Sequence, residues 1–287
     1  MIKVIVLSDF WTPKGAADVF KDVFQKGPDN YLEHITFVYK DYTHAIILNT
    51  YMPKLNIPKK NIIGLAWEPL EFLNITPQWL DYVKQNIGTY FIGSLRPEFP
   101  SNIKLGYPFM CHERRRDLYF QNETPDKTKL CCIIFSKKYM LPGHKYRMKL
   151  VEQILKSNLP IDIFGRGCSL IQNRNDPRIK GEFNSMEDAC KNYKYLISVE
   201  NTQSDSYISE KFIDCIYQNI IPIYWGGNVE QYFGQNCCFK LSGNIENDMN
   251  LIKQILEKQI NLDLSMARKE LFTNKAYLMK FLFSNLK

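Results

Sequence analysis

The chain has 287 residues and a mass of 33.8 kDa. Because one hydrophobic core rarely serves a chain of this length, we expect two domains. Hydrophobic residues make up 45% of the sequence and charged residues 23%, which is typical of globular proteins and excludes a disordered, collagen-like or coiled-coil protein. The formal net charge of +7 fits nucleic acid, an anionic membrane surface or an anionic small substrate, and does not choose among them.

No run of the sequence approaches the ~18 consecutive apolar residues that a membrane span requires. Met1 to Ser8 resemble a short apolar strand, with no h-region or cleavage site behind them. We therefore expect a soluble, cytoplasmic protein.

The eight cysteines include two adjacent pairs and no C-x-x-C spacing. Neither a zinc site nor a disulfide framework is indicated, and most of these thiols are expected to be buried and reduced. The one dense basic run, Arg114-Arg115-Arg116, is interpreted as a solvated segment rather than a polyanion patch.

The first half of the chain alternates strand-length apolar runs with helical patterns. Such alternation predicts a doubly wound parallel sheet. We assign residues 1–112 to this Rossmann-like domain and residues 113–129, where the apolar periodicity lapses, to a linker. The predicted strands are Lys3 to Leu7, Ile35 to Tyr39, Ala45 to Leu48, Ile62 to Ala66 and Tyr90 to Gly93, with helices at Ala16 to Gln25 and Pro77 to Asn86.

A second alternating set predicts a second parallel sheet, in a second Rossmann-like domain over residues 130–265. Two such Rossmann-like domains facing a cleft make an α/β fold with two doubly wound sheets. Residues 266–287 are expected to form a helical segment that packs on the body; membrane-surface contact is the alternative. The predicted strands are Leu130 to Phe135, Ile161 to Phe164, Tyr195 to Val199, Ile220 to Tyr224 and Cys237 to Leu241, with helices at Tyr146 to Lys156, Met186 to Lys191, Ile208 to Gln218 and Glu246 to Gln259.

The segment from Tyr195 to Gly227 carries the densest chemistry. An apolar strand ends at Glu200 and Asn201, and a polar loop then leads into a helix whose first turn holds Glu210 and Lys211. A helix N-terminus beside a lysine is suited to bind a diphosphate without a metal. Glu210 alone would be a carboxylate that favours the helix dipole. Next to Lys211, it is also suited to accept hydrogen bonds from ribose hydroxyls.

In this segment the chain resembles the α-1,3/4-fucosyltransferases, a family of inverting glycosyltransferases that use GDP-fucose. The motifs that carry the resemblance are Val199-Glu200-Asn201, Tyr207-Ile208-Ser209-Glu210-Lys211 and Ile221-Pro222-Ile223-Tyr224-Trp225-Gly226. Upstream, Leu159 to Arg166 and Ser136 with Tyr146-Arg147 are similar to the start of the family's donor domain. The resemblance implies that Arg147 and Lys211 bind the donor phosphates, that Glu210 binds the ribose, and that Asn201 and Tyr207 contact the donor. It also implies the GT-B architecture, with residues 1–112 as the acceptor-side domain and residues 130–265 as the donor (nucleotide-sugar) binding domain.

The amino-terminal half resembles the family more loosely. Its useful feature is Glu68, which follows the apolar run Gly64 to Ala66 and Trp67, since the family places its general base at a similar strand end. A proline follows Glu68 directly and Glu71 lies three residues on. Glu68 is therefore the favoured base and Glu71 the alternative.

A D-x-D motif does not occur anywhere in the sequence, and the four histidines have no i, i+4 metal spacing. We expect no metal site and no required cofactor, with Mn²⁺ stimulating the reaction by assisting product release. The expected substrates are GDP-fucose and an oligosaccharide or glycoconjugate acceptor, joined by an α-1,3 or α-1,4 linkage, and nucleic acid is not an expected partner.

Two alternatives stay open. One is a GT-B transferase with another donor, GDP-mannose or a UDP-sugar, and the other is a non-catalytic carbohydrate or polyanion binder. Eukaryotic members of the family carry an N-terminal membrane helix, and this sequence shows none. We therefore expect a bacterial or viral origin for this chain.

Overall fold

The computed structural model describes residues 1–24, 34–106, 126–171, 175–273 and 278–286. These residues form two compact α/β units. The first unit contains the described residues up to 106, together with Ser204–Ser209 and the described residues from Phe272 onward. The second contains those from 126 to Gln203 and from Glu210 to Leu271.

The first unit is built on a six-stranded parallel sheet in the order β2-β1-β3-β4-β5-β6. The central strands are apolar and buried on both faces, as in β4 and in β3 after His44, because helices cover parallel sheets on both sides. The strands are β1 Ile2–Leu7, β2 Ile35–Val38, β3 His44–Leu48, β4 Ile62–Leu65, β5 Thr89–Ile92 and β6 Ile103–Leu105, and the helices are α1 Pro13–Phe24 and α2 Pro77–Asn86.

The second unit repeats this plan with a six-stranded parallel sheet in the order β12-β11-β10-β7-β8-β9. Its strands are β7 Lys129–Ile134, β8 Ile161–Phe164, β9 Ile179–Gly181, β10 Tyr193–Val199, β11 Ile221–Trp225 and β12 Phe239–Lys240. The helices that follow in the chain are α3 Pro142–Lys156, α4 Met186–Cys190, α5 Glu210–Tyr217, α6 Glu230–Phe233, α7 Ile245–Lys258, α8 Ser265–Thr273 and α9 Leu278–Asn285. Residues of α9 and the end of α8 belong to the first unit.

The α/β fold class with two parallel sheets is confirmed, and each of the ten apolar runs contains or overlaps a strand. Helix α2 has the predicted bounds, because Pro77 occupies its first turn and Thr76 Oγ1 accepts a hydrogen bond from the Trp79 N–H at 3.1 Å. The sequence patterns did not predict β6 and β9, which are edge strands of three residues.

Three predicted helix starts were wrong by two residues or more, since α1 begins at Pro13 and not at Ala16, α3 at Pro142 and not at Tyr146, and α5 at Glu210 and not at Ile208. The helix expected from Ile208 begins at Glu210, because the preceding residues make other hydrogen bonds. The Ser206 N–H donates to the Gly93 carbonyl at 2.9 Å, and the Tyr207 N–H donates to Ser204 Oγ at 3.2 Å. Glu210 and Lys211 nevertheless lie in the first turn, as predicted.

Seven cysteines fall within the described residues, and all seven are buried and free. This confirms the expected reduced thiols for that part of the chain. Three predictions fall on residues outside the described ranges: Cys111, the basic run Arg114-Arg115-Arg116, and linker residues 113–125. Of the remaining linker residues, Lys127 anchors on the second unit, where its Nζ donates to the Lys191 and Gln218 carbonyls at 2.7 and 2.8 Å.

No helix in the described ranges has the length and apolar character needed to cross a membrane.

Candidate donor site and candidate base

Strands β7 and β10 are neighbours at the topological switch point of the second sheet. The chain runs outward from β7 to β8 and β9, and resumes on the other side of β7 with β10. In open parallel sheets, ligands bind outside the carboxyl ends of the strands at this point. Glu200 and Asn201 follow β10 there, and α3 begins a few residues after β7.

Glu200 is fully buried, with 0% of its surface exposed. Its side chain accepts a hydrogen bond from the Tyr224 hydroxyl at 3.3 Å, and its Oε2 lies 3.7 Å from Lys211 Nζ. Gly226 leaves the space for this arrangement, because a Cβ there would overlap the Tyr224 hydroxyl and approach Glu200 Cγ to 2.5 Å. A buried carboxylate is stable only with such compensation.

Lys211 lies between two carboxylates. Its Nζ is 2.9 Å from Glu210 Oε1 and 3.7 Å from Glu200 Oε2, and its side chain is 22% exposed. Burial disfavours the charged ammonium, but Glu210 and Glu200 outweigh that effect and raise the pKa of Lys211 above its usual value. The site therefore contains a lysine at the start of α5 that is charged at neutral pH.

Helix α3 approaches the residues after β10 closely. The Gly143 N–H donates to the Asn201 carbonyl at 2.9 Å, and a Cβ on Gly143 would overlap the Glu200 carbonyl oxygen. One turn along, Arg147 Nη2 donates to the carbonyl oxygen of Val199, and Arg147 is only 6% exposed. A glycine is thus required where the helix meets the strand end.

The second unit therefore brings four predicted donor residues to one end of its sheet: Arg147, Asn201, Glu210 and Lys211. The sequence analysis missed two buried polar residues beside them. His144 is 3% exposed, and the sequence indicated only that it has no metal spacing with the other histidines. Glu200 is fully buried, and the sequence placed it only at the end of a strand. The i, i+3 spacing of His144 and Arg147 on one helix is the signal that could have found the histidine.

Tyr207, the fifth predicted donor residue, belongs to the first unit and is 3% exposed. A Cβ on Gly93 would lie 3.0 to 3.2 Å from Tyr207 atoms, so the tyrosine packs tightly over the end of β5. Its predicted contact with the donor stays a prediction.

The candidate base Glu68 follows β4 in the first unit and is partly buried, whereas Glu71 is exposed. Asn49 holds the backbone at this point, because its Oδ1 accepts from the N–H groups of Trp67 and Glu68 at 2.9 and 3.2 Å. Asn49 has a left-handed φ of 52°, which asparagine tolerates better than most residues. The Tyr90 hydroxyl donates to the Asn49 carbonyl at 2.8 Å, so Glu68 projects from a fixed backbone.

Within the described residues, His, Cys, Asp and Glu side chains form no group of three or more that could hold a metal ion. His112 lies outside those residues. The cationic side chains among the predicted donor residues are Lys211 and Arg147.

Comparisons with known proteins agree with this arrangement. The family model "Glycosyltransferase family 10 (fucosyltransferase) C-term" matches residues 124–240. A candidate fucosyltransferase of Acanthamoeba polyphaga mimivirus is 24% identical over 206 residues, which are 63% of this chain and 33% of that protein. The chain thus spans about a third of the length of this relative.

Two solved structures share the fold. An α1,3-fucosyltransferase crystallised with GDP-fucose is 14% identical, with a TM-score of 0.54, over 100% of this chain and 90% of the other. The Anabaena protein HepE, in complex with UDP-glucose, is 10% identical, with a TM-score of 0.59, over 100% of this chain and 99% of the other. At these identities the likeness shows the two-sheet GT-B fold alone.

The family match covers every strand of the second sheet and all four donor-site residues of that unit. The resemblance seen in the sequence motifs is therefore confirmed, since residues 124–240 of this chain match the model of the C-terminal domain of the fucosyltransferases of glycosyltransferase family 10.

Proposed function

We propose that this protein is a glycosyltransferase that transfers L-fucose from GDP-fucose to a hydroxyl group of an acceptor glycan. The observation that carries the proposal is the charged Lys211 at the start of α5, beside Glu210 and at the switch point of the family 10 domain. This placement suits a nucleoside diphosphate, because the lysine and the helix N-terminus compensate the phosphates while the glutamate accepts from the ribose.

The proposed reaction is one in-line displacement with inversion at the anomeric carbon. The acceptor oxygen forms its bond to that carbon as the bond to the GDP oxygen breaks, and Glu68 takes the acceptor proton. Lys211, Arg147 and the start of α5 stabilise the negative charge that develops on the leaving diphosphate. The product linkage is α-1,3 or α-1,4, and the acceptor is an oligosaccharide or glycoconjugate.

A nucleotide-sugar panel tests the donor. We expect GDP-fucose to raise the melting temperature of the purified protein more than GDP-mannose or UDP-glucose, because a ligand bound by the native state stabilises it by ~2.7 kcal/mol at 100 times its Kd. GDP alone should reproduce most of the shift. Donor-dependent release of GDP on adding glycan acceptors would then report turnover.

The same panel separates the competing functions. Selective stabilisation by UDP-glucose, the ligand in the HepE structure, would favour a transferase with a uridine donor. No response to any nucleotide, with glycan or polyanion binding that falls steeply with salt, would instead favour a non-catalytic binder.

We expect activity to survive EDTA, with added Mn²⁺ stimulating it through faster product release. The physical reason is that Lys211, Arg147 and the α5 N-terminus already compensate the diphosphate charge. The measurement is the initial rate in EDTA against the rate in Mn²⁺ after dialysis. Complete loss in EDTA that a divalent cation restores would contradict this account of the phosphate charge.

A further inference from the structure

His144 lies in the first turn of α3 with its ring between two polar partners. The Leu141 N–H donates to His144 Nδ1 at 3.2 Å, and the ring is also hydrogen-bonded to the side chain of Asn201. With 3% of its surface exposed, the ring has little freedom to turn away from either partner.

The ring is neutral near pH 7. Burial, together with the positive charges of Arg147, Lys138 and Lys211, lowers the pKa of His144 to about 4, although its hydrogen bond with Asn201 acts in the opposite direction. A neutral imidazole carries one proton, on either Nδ1 or Nε2. Because Nδ1 accepts from Leu141, the proton resides on Nε2.

This tautomer decides how the Asn201 carboxamide is oriented. An Nε2–H group donates, so its partner is the amide oxygen of Asn201 and not the amide nitrogen. The backbone of Asn201 is held independently, since its carbonyl accepts from the Gly143 N–H at 2.9 Å. Both ends of the residue are therefore fixed by the first turn of α3.

We propose that His144 is a positioning residue that orients the Asn201 carboxamide with its oxygen toward α3 and its NH₂ group presented as a hydrogen-bond donor to the donor nucleotide sugar. The inference rests on the proposed function, because it assigns Asn201 to the same donor site. An NH₂ group suits an anionic ligand, whereas the opposite orientation would direct the carbonyl dipole at the phosphates and disfavour binding.

The test uses two substitutions that separate the two nitrogens. His144→Asn can keep an acceptor for the Leu141 N–H and loses the reach to Asn201, whereas His144→Gln can keep an amide donor near the Nε2 position. We expect His144→Asn to raise the Kd for GDP and the KM for GDP-fucose about 5- to 10-fold with an unchanged acceptor KM, and His144→Gln to restore much of the loss. His44→Asn, on β3 of the first unit, is the matched control.

A double-mutant cycle with Asn201→Ala decides whether the histidine acts through the asparagine. If it does, adding His144→Asn to Asn201→Ala changes the Kd for GDP by less than about twofold. Additive effects, or an unchanged Kd in folded His144→Asn, would overturn the inference. Absence of GDP binding by the wild-type protein would instead overturn the proposed function, so the two failures are distinguishable.

Discussion

Replacing Lys211 by methionine should weaken GDP binding at least ~10-fold and lower turnover by about 10² to 10³, because it removes the charged donor that stabilises the leaving diphosphate. The structure adds a second expected effect. Lys211 lies 3.7 Å from the fully buried carboxylate of Glu200, so the variant should also lose up to ~3 kcal/mol of unfolding free energy. Isothermal calorimetry, initial rates and urea unfolding measure the three quantities.

A double variant separates the two effects. Glu200→Gln removes the buried negative charge and keeps an acceptor for the Tyr224 hydroxyl, which now lies 3.3 Å from Glu200 Oε1. In Lys211→Met/Glu200→Gln we expect stability to recover while GDP affinity and turnover stay low. Lys253→Met is the matched control, since this lysine is 59% exposed and pairs only weakly with Glu257 at 3.8 Å on α7. Full GDP affinity in the stable double variant would contradict the assignment of Lys211 to the phosphates.

The strands and most helices could be predicted from the sequence because their signals are local. The short, uniformly apolar runs of β3 and β4 predict buried strands. Thr76-Pro77 marks the start of α2. Edge strands β6 and β9 lack such runs, since only Ile103 of β6 is buried and no residue of β9 is. These residues form strands because they pair with the backbone of the neighbouring strand, and their own sequence contains no strand pattern.

The residues of the predicted donor site also differ in whether local sequence signals identify them. Glu210 and Lys211 are adjacent in the sequence, so the motif was enough to find them. Glu200 and His144 owe their roles to contacts with residues 11 and 57 positions away, Lys211 and Asn201, and a pattern of local spacing contains no such information. The irregular path of Ser204–Ser209 likewise depends on the distant Gly93 carbonyl.

The candidate base gives the second large expected effect. Glu68→Gln should lower kcat by about 10² or more while leaving the Kd for GDP unchanged, because the variant loses a proton acceptor and the predicted phosphate ligands belong to the other unit. The fold should tolerate the change, since glutamine keeps the size of the side chain and Asn49 holds the backbone here through the N–H groups of Trp67 and Glu68. Initial rates at saturating donor and acceptor, with GDP titration, measure both quantities.

Two control variants decide which carboxylate is the base. Glu98→Gln removes a 55% exposed carboxylate of the same unit and should leave kcat unchanged. Glu71→Gln should lower kcat only slightly, because Glu71 is exposed whereas Glu68 lies at the strand end that Asn49 fixes. The pH profile of kcat/KM adds a further test, since Glu68→Gln should abolish the acidic limb that reports ionisation of the base. If Glu71→Gln loses activity while Glu68→Gln stays active, the general base is Glu71. This residue lies three positions after Glu68, beyond the backbone N–H groups that Asn49 binds.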